Sequence, residues 1–382
     1  MVFENLVGEA LLLEALSGYL PSWTALGWTA ALGLLILYPT LIIRRYIRIT
    51  MEKFDDHTPH VEGGGGEALP LRGTEIRFAA ADGHPLNGVL LHRSPGLCRR
   101  GVVLFCHEFG SDRTRCVSYC RELLHAGFDV LAFDFRGHGE SPAEPGYRPR
   151  HFPTDREVED VRGAIAHARE HLRGCGAEER IGLFGLSRGA AAAVLAAADS
   201  EEVRAIVTDS VFSSDMTVEF LMRRFATSFA RIRIVAENHP PAFWRFMRWL
   251  LFIESSRRFG CSFPSVRQAL SRLGSTPLLM IHGEKDRFVS EAQARSLYSS
   301  ASGPKSFWLV PGARHNQAAE IAPDAYHCRV VEFFSKHFPE ETARKGESGR
   351  RRSPGRERDH SPRRQDADQP ALVAAGRSFP DS

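Results

Sequence analysis

The sequence predicts an α/β domain: a mostly parallel sheet with helices on both faces. Three observations carry this. Apolar runs of strand length alternate with helical segments from Val102 onward. A serine sits at the apex of a glycine-bounded strand–turn–helix, Gly185-Leu186-Ser187-Arg188-Gly189. An aspartate and a histidine follow later apolar runs, where loops leave the carboxyl ends of strands and where ligands and catalytic groups of open sheets collect.

The chain begins differently. No residue from Ala15 to Ile43 is charged, and the 21 residues from Trp23 to Ile43 are almost wholly apolar. A bilayer core takes about 20 residues of helix. A cleavable signal wants a basic start and a shorter apolar core, whereas Glu4, Glu9 and Glu14 come first and no lysine or arginine precedes Arg44. A core helix here would lie outside the sheet domain with nothing to pack on. The expectation is therefore an uncleaved single span, about 23–43, with Trp23, Trp28 and Tyr38 at its edges. Arg44, Arg45 and Arg48 follow it, so the positive-inside rule places the body on the cytoplasmic side of the membrane.

Residues 1–50 then form the anchor, 51–70 a linker around Gly63-Gly64-Gly65-Gly66, 71–338 the main domain and 339–382 a charged tail. Within the domain, Thr74 to Phe78 and Leu86 to Leu91 flank Asp82-Gly83 as an antiparallel hairpin. Strands at 102–106 and 130–133 alternate with helices near 115–126 and 155–173. The elbow follows, then Ala205-Ile206-Val207-Thr208 as a strand ending at Asp209. A long insertion at about 211–275 holds ten arginines against four acids, and its most apolar part is Phe243 to Phe252. That apolar part is expected to line a binding site, and Arg245 and Arg248 to turn toward anionic lipid. Pro277 to His282 and Ser306 to Val310 are the last two strands. The tail, with Arg350-Arg351-Arg352-Ser353-Pro354, has too few apolar groups for a core and is expected to be disordered.

Composition narrows the partners. With 382 residues and 43% hydrophobic content there is ample material for one substantial core. A net charge of +3 argues for no specific nucleic-acid partner. Seven cysteines, an odd number without framework spacing, do not make a disulfide-stapled fold, and no Cys/His spacing suits zinc. Cys116 and Cys120, four apart on a predicted helix, are expected as core filler.

The elbow motif has a physical rationale. A sharp strand-to-helix turn brings two backbones together, so small residues are needed two before and two after the serine. The hydroxyl is then presented at a helix N-terminus, where free N–H groups favour negative charge. A serine is a weak nucleophile unless a base takes its proton, and the base must be held by a carboxylate. Asp286, in the loop after 277–282, and His315, after 306–310, supply both in the order Ser, Asp, His. Asp209 is the fallback acid.

The chain resembles the α/β-hydrolases over residues 71–338, close to the bacterial prolyl-oligopeptidase-like and esterase branch. The resemblance rests on Gly185 to Gly189, His107-Glu108-Phe109-Gly110, Phe133 to Ser141 and His282-Gly283-Glu284-Lys285-Asp286. It implies an α/β-hydrolase fold with a helical cap at 211–275. It also implies Ser187 as nucleophile, His315 as general base and acid, and Asp286 as the residue orienting His315. Asp134 and His138 are expected to serve the turn that ends a strand. The oxyanion hole needs two backbone N–H groups, expected from Arg188 and Phe109. Where this family usually has glycine the chain has Glu108, expected to point outward or to pair with Arg113 or Arg188. The Arg188 side chain is read equally as an anion contact for substrate or as a salt-bridged group.

The expected activity is serine hydrolysis of a carboxylic ester, thioester or, less favoured, amide through an acyl-enzyme. Lipid-like or acyl substrates, small-molecule acyl or lipid esters, are preferred, and no metal or organic cofactor is required. An acyltransferase would admit an acceptor alcohol or amine in place of water, which product analysis distinguishes. A non-catalytic scaffold, toward which Glu108 points, would fail to label at Ser187 with a fluorophosphonate.

Overall fold

The structure is a computed structural model, and it describes residues 23–56, 73–229 and 239–339. It opens with helix α1 (Trp23–Asp56). Strands β1 (Thr74–Ala79) and β2 (Pro85–Leu91) form an antiparallel hairpin. Then come β3 (Gly101–Cys106), α2 (Cys116–His125), β4 (Phe128–Phe133), α3 (Asp155–Gly174) and β5 (Ile181–Leu186). Helix α4 (Arg188–Ala197) leads to β6 (Val203–Asp209), and α5 (Ser214–Phe229), α6 (Pro241–Phe259) and α7 (Val266–Arg272) occupy the insertion. Strand β7 (Leu278–Gly283), α8 (Glu291–Ser300), β8 (Lys305–Val310), α9 (Ala318–Ile321) and α10 (Pro323–His337) complete the order.

The eight strands lie in the order β1-β2-β4-β3-β5-β6-β7-β8. β2 pairs antiparallel with β1 and β4, and every other pairing is parallel. β3, β4, β5 and β7 are buried at every position, which is why they read as continuous apolar runs. Alternate residues serve opposite faces. Val102 and Leu104 pack with α3, α4 and α7, whereas Val103 and Phe105 pack with α2 and α10. Cys116 and Cys120 are buried in the second layer, as expected of core filler. α4 is alanine-rich because it is buried all round, and small side chains let it lie close on the sheet. α3 starts at a capping box, in which the Thr154 amide donates to Glu157 at 2.8 Å.

A third apolar cluster belongs to the insertion. Val218 and Met222 of α5 and Trp244, Met247 and Leu251 of α6 pack with Phe212, Phe152 and Val289. Met51 joins this cluster, with Ile43, Tyr46 and Ile47 packed against it. Here the sequence expectation is corrected. α1 does have something to pack on, because its second half presents Ile43, Tyr46, Ile47 and Met51 at helical spacing to the cap. The expected linker at 51–70 also begins later, since helix continues to Asp56. Residues 57–72 and 340–382, which include the glycine run and nearly all of the tail, lie outside the described residues.

The first half of α1 contrasts with the second. Trp28, Leu32, Leu34, Ile36, Leu37 and Leu41 are all exposed. Among the described residues, however, no helix is long and apolar enough to cross a membrane. Of the 21 residues expected to span, the side chains of eight lie outside the described residues.

Candidate active site

β5 ends at Leu186, and the chain turns through Ser187 into α4. Ser187 sits at φ 49° and ψ −112°, a left-handed backbone that costs a non-glycine residue energy. The flanking glycines are dictated by contact. A Cβ on Gly185 would lie 2.4 Å from Ala190 Cα, and one on Gly189 would lie 2.2 Å from the Cys106 carbonyl oxygen. The Ser187 amide donates to the Asp209 carbonyl at 2.8 Å, which ties the elbow to the end of β6. The Ser187 hydroxyl does not cap α4. It donates to His315 Nε2 at 2.8 Å.

The other two side chains arrive on loops that are laced together. After β7, the Glu284 amide donates to the Val310 carbonyl at 3.0 Å and the Lys285 amide to the Ala313 carbonyl at 2.8 Å. Gly283 permits this approach, since a Cβ there would lie 2.5 Å from the Ala313 and Arg314 oxygens. Asp286 Oδ1 accepts from the Phe288 and Val289 amides, each at 2.8 Å. Its Oδ2 accepts from His315 Nδ1 at 2.6 Å. Burial by itself would raise the Asp286 carboxyl, but the His315 hydrogen bond and charge and the Val289 amide outweigh it and hold the group below the usual carboxylate value. Thus Ser187, His315 and Asp286, distant in sequence, form one hydrogen-bonded line at the carboxyl end of the sheet.

Asp209 is elsewhere. Its Oδ1 accepts from the Ser210 hydroxyl and its Oδ2 from Tyr326, both at 2.9 Å. Complete burial pushes its carboxyl up to about 6, against the lowering effect of those two hydrogen bonds. Asp134 accepts from the Arg113 amide at 2.7 Å and the Glu140 amide at 2.9 Å, so its turn is structural. His138 is buried against the His107 and Phe109 rings and is pushed down to about 3 by that burial, with Arg188 adding to the effect.

Arg188 is the first residue of α4, so its amide has no partner within the helix. Its side chain is fully buried and pairs with Glu157, with the guanidinium 5.5 Å from the Phe109 ring centroid and 5.7 Å from that of Phe135. Glu157 accepts further from Tyr147 at 2.6 Å and from the Thr154 hydroxyl at 2.8 Å. Of the two readings left open for Arg188, the salt-bridged one describes the structure. The expected partners of Glu108 are corrected in turn. Glu108 is buried, and its Oε1 accepts from Arg115 Nε at 3.1 Å. Arg113 is taken up by Asp134, Glu140 and Glu75.

Aromatic groups border His315. The Phe288 ring lies 5.2 Å from it, His151 lies 4.5 Å from Phe288, and Phe212 stacks on His151 at 5.2 Å. The sequence reading missed these three and placed the lining in Phe243 to Phe252. There, Trp244, Met247 and Leu251 fill the cap's own core, while Phe246 and Trp249 stack on each other at 5.9 Å and are exposed. Arg248 pairs with Glu219 at 2.8 Å, which neutralises one of the two cap arginines expected to face lipid. Among the described residues, no group of three or more His, Cys, Asp or Glu is placed to hold a metal ion.

This sheet order, elbow and capping insertion make the α/β-hydrolase fold. The comparisons agree with that class. Residues 98–241 match the family model described as serine aminopeptidase S33. The chain is 26% identical over 270 residues to the uncharacterized protein YfhR of Escherichia coli (strain K12), covering 69% of this chain and 81% of that one. It is 29% identical over 277 residues to the uncharacterized protein Rv2307c of Mycobacterium tuberculosis, covering 71% and 80%. Among solved structures, a Pyrococcus furiosus esterase, Pf2001, superposes with a TM-score of 0.51 at 21% identity, over 70% of this chain and 91% of that one.

Proposed function

We propose that this protein is a serine hydrolase that cleaves carboxylic ester or thioester bonds through an acyl-enzyme on Ser187. The observation that carries the proposal is the line of hydrogen bonds from Ser187 Oγ through His315 to Asp286, 2.8 and 2.6 Å long. In that arrangement His315 takes the hydroxyl proton as Ser187 attacks the carbonyl carbon. Asp286 keeps Nδ1 protonated, so that Nε2 is the acceptor. The backbone N–H groups of Arg188 and Phe109 receive the oxyanion. His315 then returns the proton to the leaving alcohol or thiol, and water activated by the same imidazole releases the acid.

The surroundings of His315 support a substrate class. Phe288 borders it, with His151 and Phe212 packed in turn behind Phe288, and Arg188, the nearest strong cation on the elbow, is already paired with Glu157. That favours an apolar acyl group over a charged one. Hydrolysis of p-nitrophenyl esters of increasing acyl length, with Ser187→Ala as control, tests this. An optimum at medium or long chains that disappears in Ser187→Ala supports it, and equal rates for the two proteins contradict it.

The location we propose is a bilayer surface, with the first half of α1 in lipid and the body on the cytoplasmic side. The supporting facts are the exposed apolar residues Trp28, Leu32, Leu34, Ile36, Leu37 and Leu41, followed by exposed Arg44, Arg45 and Arg48. A helix apolar on all sides is stable only when something other than water covers it. The full chain should stay with the membrane fraction through an alkaline carbonate wash, and its release by that wash would contradict the placement.

A further inference from the structure

Glu108 stands where the resemblance leads one to expect glycine, and burying a carboxylate is costly unless a partner is held against it. Its partner links it to the loop that carries His315. Arg115 Nε donates to Glu108 Oε1 at 3.1 Å, while Arg115 Nη2 donates to the Tyr119 hydroxyl at 3.4 Å and its guanidinium lies 5.5 Å from the Tyr119 ring centroid. The Tyr119 hydroxyl has one proton to give, and it gives it to the Asn316 carbonyl at 3.4 Å. Asn316 directly follows His315.

Asn316 has a backbone that is held from two sides. Its φ is 57°, a left-handed conformation that asparagine adopts more readily than other residues with a Cβ. Both of its peptide groups are fixed by side chains from other elements. The carbonyl accepts from Tyr119, and the amide donates to the Ser210 hydroxyl at 3.1 Å. Ser210, itself at φ 56°, follows Asp209, whose carbonyl holds the Ser187 amide at 2.8 Å. One polar chain therefore runs from the residue before Phe109, past the residue after His315, to the backbone of Ser187.

We propose that Glu108 is a positioning residue. Acting through Arg115 and Tyr119, it fixes the Asn316 carbonyl, in the second peptide after His315, and so sets the imidazole relative to Ser187 and to the Phe109 amide. The proposal rests on the serine-hydrolase reading above. Glu108 touches no substrate in this role; its Oε1, as hydrogen-bond acceptor, orients Arg115, which in turn fixes the Tyr119 hydroxyl.

The test compares four forms of the full chain with the wild type: Glu108→Ala, Glu108→Gln, Tyr119→Phe and the double variant Glu108→Ala/Tyr119→Phe. kcat and KM on a p-nitrophenyl ester are measured across the pH range in which imidazole titrates, with melting temperature recorded for each. Tyr119→Phe, which removes a single oxygen from a buried ring, is the variant least open to misfolding. It and Glu108→Ala should each lower kcat about three- to tenfold, the loss expected for one hydrogen bond, with KM nearly unchanged. The acidic limb of their kcat profiles should shift in the same direction. The double variant should be no slower than the worse single one, because both changes break one chain. Glu108→Gln keeps an acceptor for Arg115 Nε and should recover most of the rate. Full kcat in Tyr119→Phe, additive losses in the double variant, or losses that follow melting temperature with an unmoved pH profile would each overturn the proposal. An active wild type with those results removes this proposal alone, whereas an inactive, unlabelled wild type removes the hydrolase reading.

Discussion

Replacing Gly189 by alanine probes the joint on which the site depends. The added Cβ would lie 2.2 Å from the Cys106 carbonyl oxygen and 2.4 Å from that of His107. Ordinary contact begins at 3.4 Å, so relief requires α4 and the end of β3 to part by about 1.2 Å. Neither neighbour is a flexible side chain. Overpacking of this kind costs about 1–3 kcal/mol of stability. The catalytic effect should be larger, because the displaced elements carry Arg188 on one side and the Phe109 loop on the other. A misplacement of about 1 Å costs on the order of 10²-fold in rate. The assay is kcat/KM on a p-nitrophenyl ester beside thermal unfolding. Gly174→Ala serves as control, since nothing lies within 4 Å of a Cβ at the end of α3. Wild-type rate and melting in Gly189→Ala would refute the close-approach argument and the elbow geometry with it.

Other consequences are as specific. Asp286→Asn should lower kcat steeply, by about 10⁴-fold as in the comparable change in other triads, while Asp209→Asn should cost less than about tenfold; reversed magnitudes would move the acid to β6. Arg188→Met leaves Glu157 buried without its cation and should destabilise the fold by about 3–5 kcal/mol in denaturant unfolding, with Arg188→Met/Glu157→Gln recovering much of it. His107 is held neutral, pushed down to about 4 mainly by complete burial, although its hydrogen bond to the Glu108 carbonyl opposes this. Between 6.5 and about 4 the unfolded chain binds a proton that the folded one refuses. The His107 contribution is therefore complete above 6.5 and lost as pH falls, at up to about 1.4 kcal/mol per pH unit. The stability difference between wild type and His107→Gln should change with pH across that window, and a constant difference would contradict the burial argument.

Much of this was legible in the sequence because parallel strands buried on both faces leave unbroken apolar runs. β3, β5 and β7 appear within one or two residues of the segments read as strands. Once those ends are known, Ser187, Asp286 and His315 fall at the same rim without further information. What escaped was set by tertiary approach. Nothing local marks Gly283 as the point where two loops touch, or Phe288 as the neighbour of His315 with His151 packed against it. Glu108 was matched to Arg113 and Arg188, but Asp134 and Glu157 claim those arginines from other strands and helices, leaving Arg115. The Thr154–Glu157 capping box and the Ile43, Tyr46, Ile47, Met51 spacing were visible signals that charge counting and the apolar run before them obscured.

The central claim is that His315 activates the Ser187 hydroxyl. Its most direct test is mass spectrometry of the full chain after reaction with a fluorophosphonate. One adduct is expected, on the peptide containing Ser187, lost in Ser187→Ala and slowed at least about a hundredfold, on the order of general-base assistance, in His315→Ala. An adduct on another serine, or undiminished labelling without the imidazole, would contradict it.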